Sequence, residues 1–270
     1  MIITIHDDFD LQKICESGQC FRCKQIDEKF RFITLNHVLY IEPLSASSFE
    51  ISCCSDDWHM IWEPYFNLSR NYADIRKLAQ NDPFMSAAAD AGSGIRILKQ
   101  DSWEMMITFI ISQRKSIPAI KKSVELLASN YGEIIHTKYE DVYSFPTPEA
   151  LSKASDDELS QYGLGYRIPY IKDAIAKVLA GSVLSDSWSS YTDDVLMTML
   201  KTVKGIGDKV ANCIMLFSYG RTASAPIDTW IKRIIVKYYD GHNPFLKYED
   251  NAGIMQQYAF YYILHHKTEV

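Results

Sequence analysis

The sequence predicts an α+β chain in which a small N-terminal antiparallel β-sheet is followed by a mainly α body. Three observations lead there. Short runs rich in β-branched and aromatic residues are confined to the first fifty-odd positions. From about residue 56 onward apolar residues recur three and four apart, the helical period. Most of these periodic segments close on a glycine, a common helix stop. In order, the strands are expected in RFITL (31–35), HVLYIEP (37–43) and FEISCC (49–54), with strands ceasing thereafter. Helices are expected in DSWEMMITFIISQ (101–113), SIPAIKKSVELLASNYG (116–132), RIPYIKDAIAKVLAG (167–181), DKVANCIMLFSYG (208–220), PIDTWIKRIIVKYYDG (226–241) and AGIMQQYAFYYILHHK (252–267). The expected organisation is a sheet-containing domain over 1–90 and a helical body over 91–270, without solenoid repeats or low-complexity tracts.

At 270 residues, 47% hydrophobic and 13% aromatic, the chain can bury the core of one or two domains. The start, MIITIHDDFDLQ, has neither a basic nor an apolar leader region, and no run approaches the roughly 18 apolar residues of a membrane span. A cytoplasmic monomer with no membrane partner is expected. Six cysteines lack the spacing of a disulfide scaffold, so reduced thiols are expected. Cys20 and Cys23 form C-x-x-C without a second ligand pair, and read as two small side chains on a strand rather than a metal site. A net charge of −6 opposes a general electrostatic grip on nucleic acid. Basic residues nevertheless gather in SQRKSIPAIKKS (112–123), VKGIGDK (203–209) and WIKRIIVK (230–237), leaving a local footprint for a polyanion.

The stretch VKGIGDKVANCIMLFSYGRTASAPIDTW (203–230) bears the chemistry. Gly205 and Gly207 suit a tight hairpin between two helices, with Asp208 as the cap of a helix beginning at Lys209. Backbone N–H groups at such a turn can hold phosphate, although a plain helix connection reads the same way. Lys209 can be a solvated charge, a phosphate contact or an amine nucleophile, the last requiring a neutral amine. Asp228 precedes an amphipathic helix and suits its N-cap, and a carboxylate held there can also stabilise a developing cation. A nucleophilic lysine with such an aspartate is equipment for displacing a base from a sugar, without a metal.

This segment resembles the helix-hairpin-helix and Gly-Pro-Asp loop of a superfamily of base-excision DNA glycosylases, and V-K-G-I-G-D-K-V-A-N-C followed by A-P-I-D is similar to its lysine-bearing, bifunctional members. Within the superfamily the chain resembles the 8-oxoguanine DNA glycosylases, in a short bacterial-type form: E-S-G-Q-C-F-R-C (16–23), G-I-R-I-L-K-Q-D-S-W-E (94–104), G-L-G-Y-R-I-P-Y (163–170) and A-G-I-M-Q-Q-Y-A-F-Y-Y (252–262) follow in family order. The fold implied is the helix-hairpin-helix glycosylase fold, with the hairpin at about 195–220, the Asp-bearing loop at 221–230 and a helix over 251–266 closing the base pocket. Ala225 stands where the superfamily name implies glycine. No cysteine follows Cys213, whereas iron–sulfur members carry four after the aspartate, so the resemblance implies no iron–sulfur cluster and no required cofactor. A monovalent cation on hairpin carbonyls is a further expectation.

The resemblance also implies roles. Lys209 would attack the sugar C1′ while Asp228 stabilises its charge. The Gly18 carbonyl would read the N7–H that only the oxidised base carries, Phe260 and Cys213 would lie on its two faces, and Gln256 would read the Watson–Crick edge. Gly205 and Gly207 would hold phosphate, and Tyr166 and Arg167 would fill the vacated stack and hold the opposite base. The partner implied is double-stranded DNA containing oxidised guanine. Two positions depart: Arg114 falls in a stretch that is asparagine-rich in the best-known eukaryotic members, and Trp230 stands where they carry a histidine near the substrate phosphate. Relaxed discrimination of the opposite base is therefore expected. The rival readings are a non-catalytic helix-hairpin-helix DNA-binding module, and a monofunctional alkyl-base glycosylase, against which Lys209 counts.

Overall fold

The computed structural model describes residues 1–184, 186–266 and 268. Strands β1 (Ile2–Thr4), β2 (Lys24–Ile26), β3 (Lys29–Thr34), β4 (His37–Pro43) and β5 (Ser48–Ile51) form one sheet in the order β1-β5-β4-β3-β2. Its register pairs Ile2 with Glu50, Ile41 with Ile51 and Lys24 with Arg31, each antiparallel. The turns before β3 and β4 place Asp27 and Leu35 at φ of 50° and 51°. The strand expected through Cys54 stops at Ile51, because the Cys54 side chain caps a helical turn from Ser55, accepting the Asp57 N–H at 3.5 Å. Strands also do not cease there: β6 (Ile134–His136) pairs antiparallel with β7 (Asp141–Tyr143). The Thr137 hydroxyl closes their turn by donating to the Glu140 carbonyl at 2.6 Å.

Six longer helices lie where apolar periodicity puts them: Ser102–Ile111, Ile117–Tyr131, Ile168–Leu179, Asp208–Phe217, Thr229–Tyr239 and Ala252–His265. The chain forms two compact units. One comprises Met1–Arg31, Leu39–Lys99 and Gly220–Val270, and the other Phe32–Val38 and Gln100–Tyr219. In the C-terminal helix residues Ala252 to Ala259 are all buried, so that it needs cover on nearly every side. The helix Pro83–Ala91 supplies part of it, and Gly92 follows where a Cβ would stand 2.5 Å from Tyr258 Cδ1.

In the first unit Cys20–Cys23 is not on a strand but in the irregular segment before β2, and Cys23 is joined to Cys15 by a disulfide. This corrects the expectation of reduced thiols for that pair. Arg96 is wholly buried in the same unit, and it donates to the carbonyls of Phe66, Asn67, Asp8 and Arg70 and to the Asp7 carboxylate. Burial works to raise the Asp7 pKa, but the N–H groups of Tyr72 and Ala73 and the Arg96 guanidinium outweigh it and hold the carboxyl below its ordinary range. The second unit is built on Ser102–Ile111, buried from Trp103 to Ile111 and packed against the helices Asp208–Phe217, Ile117–Tyr131 and Ile168–Leu179. Phe109 and Phe217 stack in its core with ring centroids 5.6 Å apart.

Candidate active site

The second unit carries the hairpin. Gly205 has φ of 82°, and a Cβ there would meet Tyr170 Cδ2 at 2.4 Å, so both conformation and space require glycine. The expected cap at Asp208 is displaced by one residue. Gly207, in extended conformation, is the N-cap, and it has no side chain to bond the helix's first N–H groups. Asp208 is the first helical residue and accepts from Lys201 Nζ at 2.6 Å. Lys209 is half-buried one position later, its Nζ 5.3 Å from the centroid of the Phe109 ring. Among the described residues no carboxylate of its own unit pairs with it. Cys213, 3% exposed, lies four residues on and shares that face of the helix.

Gln113 joins this hairpin to the segment bearing Tyr166 and Arg167. Its side chain donates to the Gly205 carbonyl at 3.1 Å, and its own carbonyl accepts from Tyr166 Oη at 3.2 Å and Arg167 Nε at 3.1 Å. The Arg167 Nη2 contacts the same carbonyl. The buried Arg167 thus faces inward, with Tyr166 exposed over its guanidinium at 4.4 Å. Arg114 is exposed at φ of 51°. Lys115 donates to Ser123 Oγ and the Gly163 carbonyl, and burial, then the Arg167 charge, push its pKa down. The basic run at 112–123 therefore presents Arg114 to solvent and uses Lys115 internally.

The first unit carries the remaining residues. Asp228 is the N-cap of Thr229–Tyr239, and its Oδ1 accepts the Ile231 N–H at 2.9 Å. Its second oxygen has no hydrogen-bond partner among the described residues. Arg233 lies 4.9 Å over the Trp230 ring, so that ring already has a cation of its own helix against it. The loop before Asp228 is tied to the base of the C-terminal helix. Thr222 accepts from Arg70 at 2.6 Å through its hydroxyl and from the Gly253 N–H at 2.7 Å through its carbonyl.

On the C-terminal helix Gln256 is 3% exposed, and its Oε1 is a buried acceptor with no partner among the described residues. Phe260 is half-buried one turn later. Gly18 adopts φ of 76°, a conformation that favours glycine. The Gln19 side chain holds this turn, donating to the Arg96 carbonyl at 2.9 Å and accepting the Leu98 N–H at 2.8 Å. Gln257, which sequence reasoning passed over, donates to the Ser17 carbonyl at 2.5 Å. Gln113 was missed too. The only signal for either was an amide beside a residue already singled out.

Gly18, Asp228, Trp230, Gln256 and Phe260 therefore belong to one unit, and Arg114, Tyr166, Arg167, Gly205, Gly207, Lys209 and Cys213 to the other. Among the described residues no group of three His, Cys, Asp or Glu side chains is placed to hold a metal, and no helix is long and apolar enough to cross a membrane.

Comparison with known proteins adds three kinds of likeness. Residues 1–106 match the family described as "8-oxoguanine DNA glycosylase, N-terminal domain", and residues 107–248 match the "HhH-GPD superfamily base excision DNA repair protein" family. Among solved structures, MBOgg1 in complex with a low-affinity DNA ligand is 35% identical with a TM-score of 0.92, over 98% of this chain and 96% of that one. The Clostridium acetobutylicum 8-oxoguanine glycosylase/lyase, in complex with double-stranded DNA containing cytosine opposite 8-oxoguanine, is 30% identical with a TM-score of 0.89, over 99% and 98%. The N-glycosylase/DNA lyase of Saccharomyces cerevisiae is 34% identical over 160 residues, 54% of this chain, and the match spans only 42% of that relative's own length.

Proposed function

Because the chain belongs to the HhH-GPD superfamily of base excision DNA repair proteins and carries the N-terminal domain of its 8-oxoguanine DNA glycosylases, we propose that it is a bifunctional glycosylase and abasic-site lyase that removes 8-oxoguanine from double-stranded DNA. One observation supports the choice of substrate above the rest. The Gln256 Oε1 is a buried acceptor without a partner among the described residues, an arrangement that costs stability unless something donates to it. The N1–H and N2–H groups on the Watson–Crick edge of a flipped guanine-type base are such donors. The Gly18 carbonyl, on a turn hydrogen-bonded to the same helix through Gln257, would take the N7–H that oxidation at C8 creates.

Extruding the nucleotide costs a few kcal/mol, which stacking on Phe260 and contacts from Arg114 and Tyr166 to the duplex would offset. The neutral amine of Lys209 attacks C1′ as the N-glycosidic bond breaks. The base leaves with the bonding pair and takes up a proton, while the Asp228 carboxylate offsets positive charge on the sugar. Opening of the sugar ring leaves an imine between Lys209 and C1′. Removal of a C2′ proton then expels the 3′ phosphate, and water releases the lysine. Both reacting groups are side chains, so these steps require no cofactor. The N–H groups of the uncapped turn at Gly207 suit a DNA phosphate. A monovalent cation at the hairpin would share carbonyls that already accept from the Ile206 N–H and from Gln113. The reading places the enzyme in the cytoplasm, acting as a monomer on nucleoid DNA.

Borohydride reduction tests the proposal. A covalent complex should form with a duplex containing 8-oxoguanine and not with its undamaged counterpart, and Lys209→Gln should abolish it while DNA binding persists. Trapping that survives Lys209→Gln would overturn the assignment of the nucleophile.

A further inference from the structure

Two glutamines stand side by side on the C-terminal helix, and the family resemblance gives a role only to the first. Gln257 is 2% exposed, and its Nε2 donates to the Ser17 carbonyl at 2.5 Å, a bond between residues 240 positions apart. That carbonyl belongs to the peptide unit leading into Gly18, whose φ of 76° already selects an uncommon backbone path. Holding this peptide plane, with Gly18 at that φ, restricts the directions in which the next carbonyl, that of Gly18, can project. The Ser17 hydroxyl is engaged as well, donating to the Ile14 carbonyl at 2.7 Å and accepting from Gln19 at 2.9 Å. The turn is thereby held by Gln19 on the side of residues 96–98 and by Gln257 on the side of the helix.

Successive residues on a helix lie about 100° apart, so the two amides meet different neighbours. Gln257 meets the turn, whereas Gln256 Oε1 has no partner among the described residues. Distinguishing 8-oxoguanine from guanine by one carbonyl depends on direction as much as distance. A hydrogen bond weakens steeply off line, and so does the repulsion that rejects the unoxidised N7 lone pair. We propose that Gln257 is a positioning residue for lesion recognition, keeping the Gly18 carbonyl in register with Gln256 and Phe260 on its own helix. The inference rests on the reading above in which these three groups contact the flipped base. It predicts that Gln257 governs base release and not the imine and elimination steps that follow.

Gln257→Met keeps the length of the side chain and removes its donor. The test compares, on one preparation, single-turnover release of 8-oxoguanine with strand cleavage at a preformed abasic site, where no base is read. Loss of folded protein lowers both rates equally, so their ratio is insensitive to a merely structural effect. The ratio should fall about tenfold or more, the order expected when a buried carbonyl loses its donor and shifts. A ratio within twofold of the unsubstituted chain, whether both rates are kept or both fall together, would overturn the inference. Failure of the unsubstituted chain to release 8-oxoguanine would instead overturn the proposed function.

Discussion

Replacing Asp228 by asparagine separates two jobs assigned to one carboxylate. The first is structural: Oδ1 caps the helix Thr229–Tyr239 through the Ile231 N–H at 2.9 Å. An asparagine amide oxygen accepts the same bond, and the two residues are about equally good caps, so Asp228→Asn should leave the thermal midpoint within about 1 °C. Asp228→Ala removes the acceptor and should lower the midpoint by roughly 2–4 °C, corresponding to about 1 kcal/mol in a chain of this size. The second job is electrostatic and asparagine cannot do it. A carboxylate about 4 Å from a developing positive charge, at an effective dielectric constant of about 20, contributes about 4 kcal/mol, or roughly a thousandfold in rate. The assay is single-turnover release of 8-oxoguanine, run beside thermal unfolding and a DNA-binding measurement on both variants. Asp228→Asn should unfold and bind like the parent and release base about a thousandfold more slowly. Release within tenfold of the parent at an unchanged midpoint would refute the reasoning, returning Asp228 to a cap alone.

Three further outcomes follow from the same structure. Asp82 accepts from the Met85 N–H, the Tyr239 hydroxyl and Lys247 Nζ; burial alone would raise its pKa, but these bonds outweigh it and hold the carboxyl below its ordinary 3.8. A depressed folded pKa stabilises above the unfolded value and that contribution is lost as pH falls through the folded one, so it should begin to decline below about pH 4. Asp82→Asn should therefore cost about 1–3 kcal/mol in urea unfolding at pH 7 and less at pH 3, and an equal cost at both would contradict this. Gly205→Ala must place a Cβ 2.4 Å from Tyr170 Cδ2 at φ of 82°, and should destabilise the chain by more than about 1 kcal/mol in denaturant unfolding. Duplexes with C, A, G or T opposite the lesion should be cleaved at comparable rates, since Arg114 falls in a stretch that is asparagine-rich in the best-known eukaryotic members; a strong cytosine preference would defeat that expectation.

Apolar patterning made the six longer helices legible, although Ser102–Ile111 and Ala252–His265 are buried along most of their length and not on one face alone. It missed β1, β2, β6 and β7, whose three residues each are too few to show a period of two. Periodicity does not say which part of the chain covers a helix buried on almost all sides, as the C-terminal helix is. The Cys15–Cys23 pairing also escaped it, since spacing alone does not show which thiols fold together. The cap of the hairpin helix fell one residue early because an aspartate outranks glycine as a cap by propensity, whereas here its carboxylate pairs with Lys201. Resemblance singled out Gly18, Lys209, Asp228 and Gln256. Gln113 and Gln257 emerge only in the folded chain, because each bonds a carbonyl far away in sequence.

The central claim is that one lysine of the hairpin becomes covalently attached to the sugar. Peptide mapping of the borohydride-trapped complex measures this directly. The account predicts that the reduced deoxyribose remnant is carried on Lys209. Attachment to another lysine or to the N-terminal amine, with Lys209 unmodified, would contradict it.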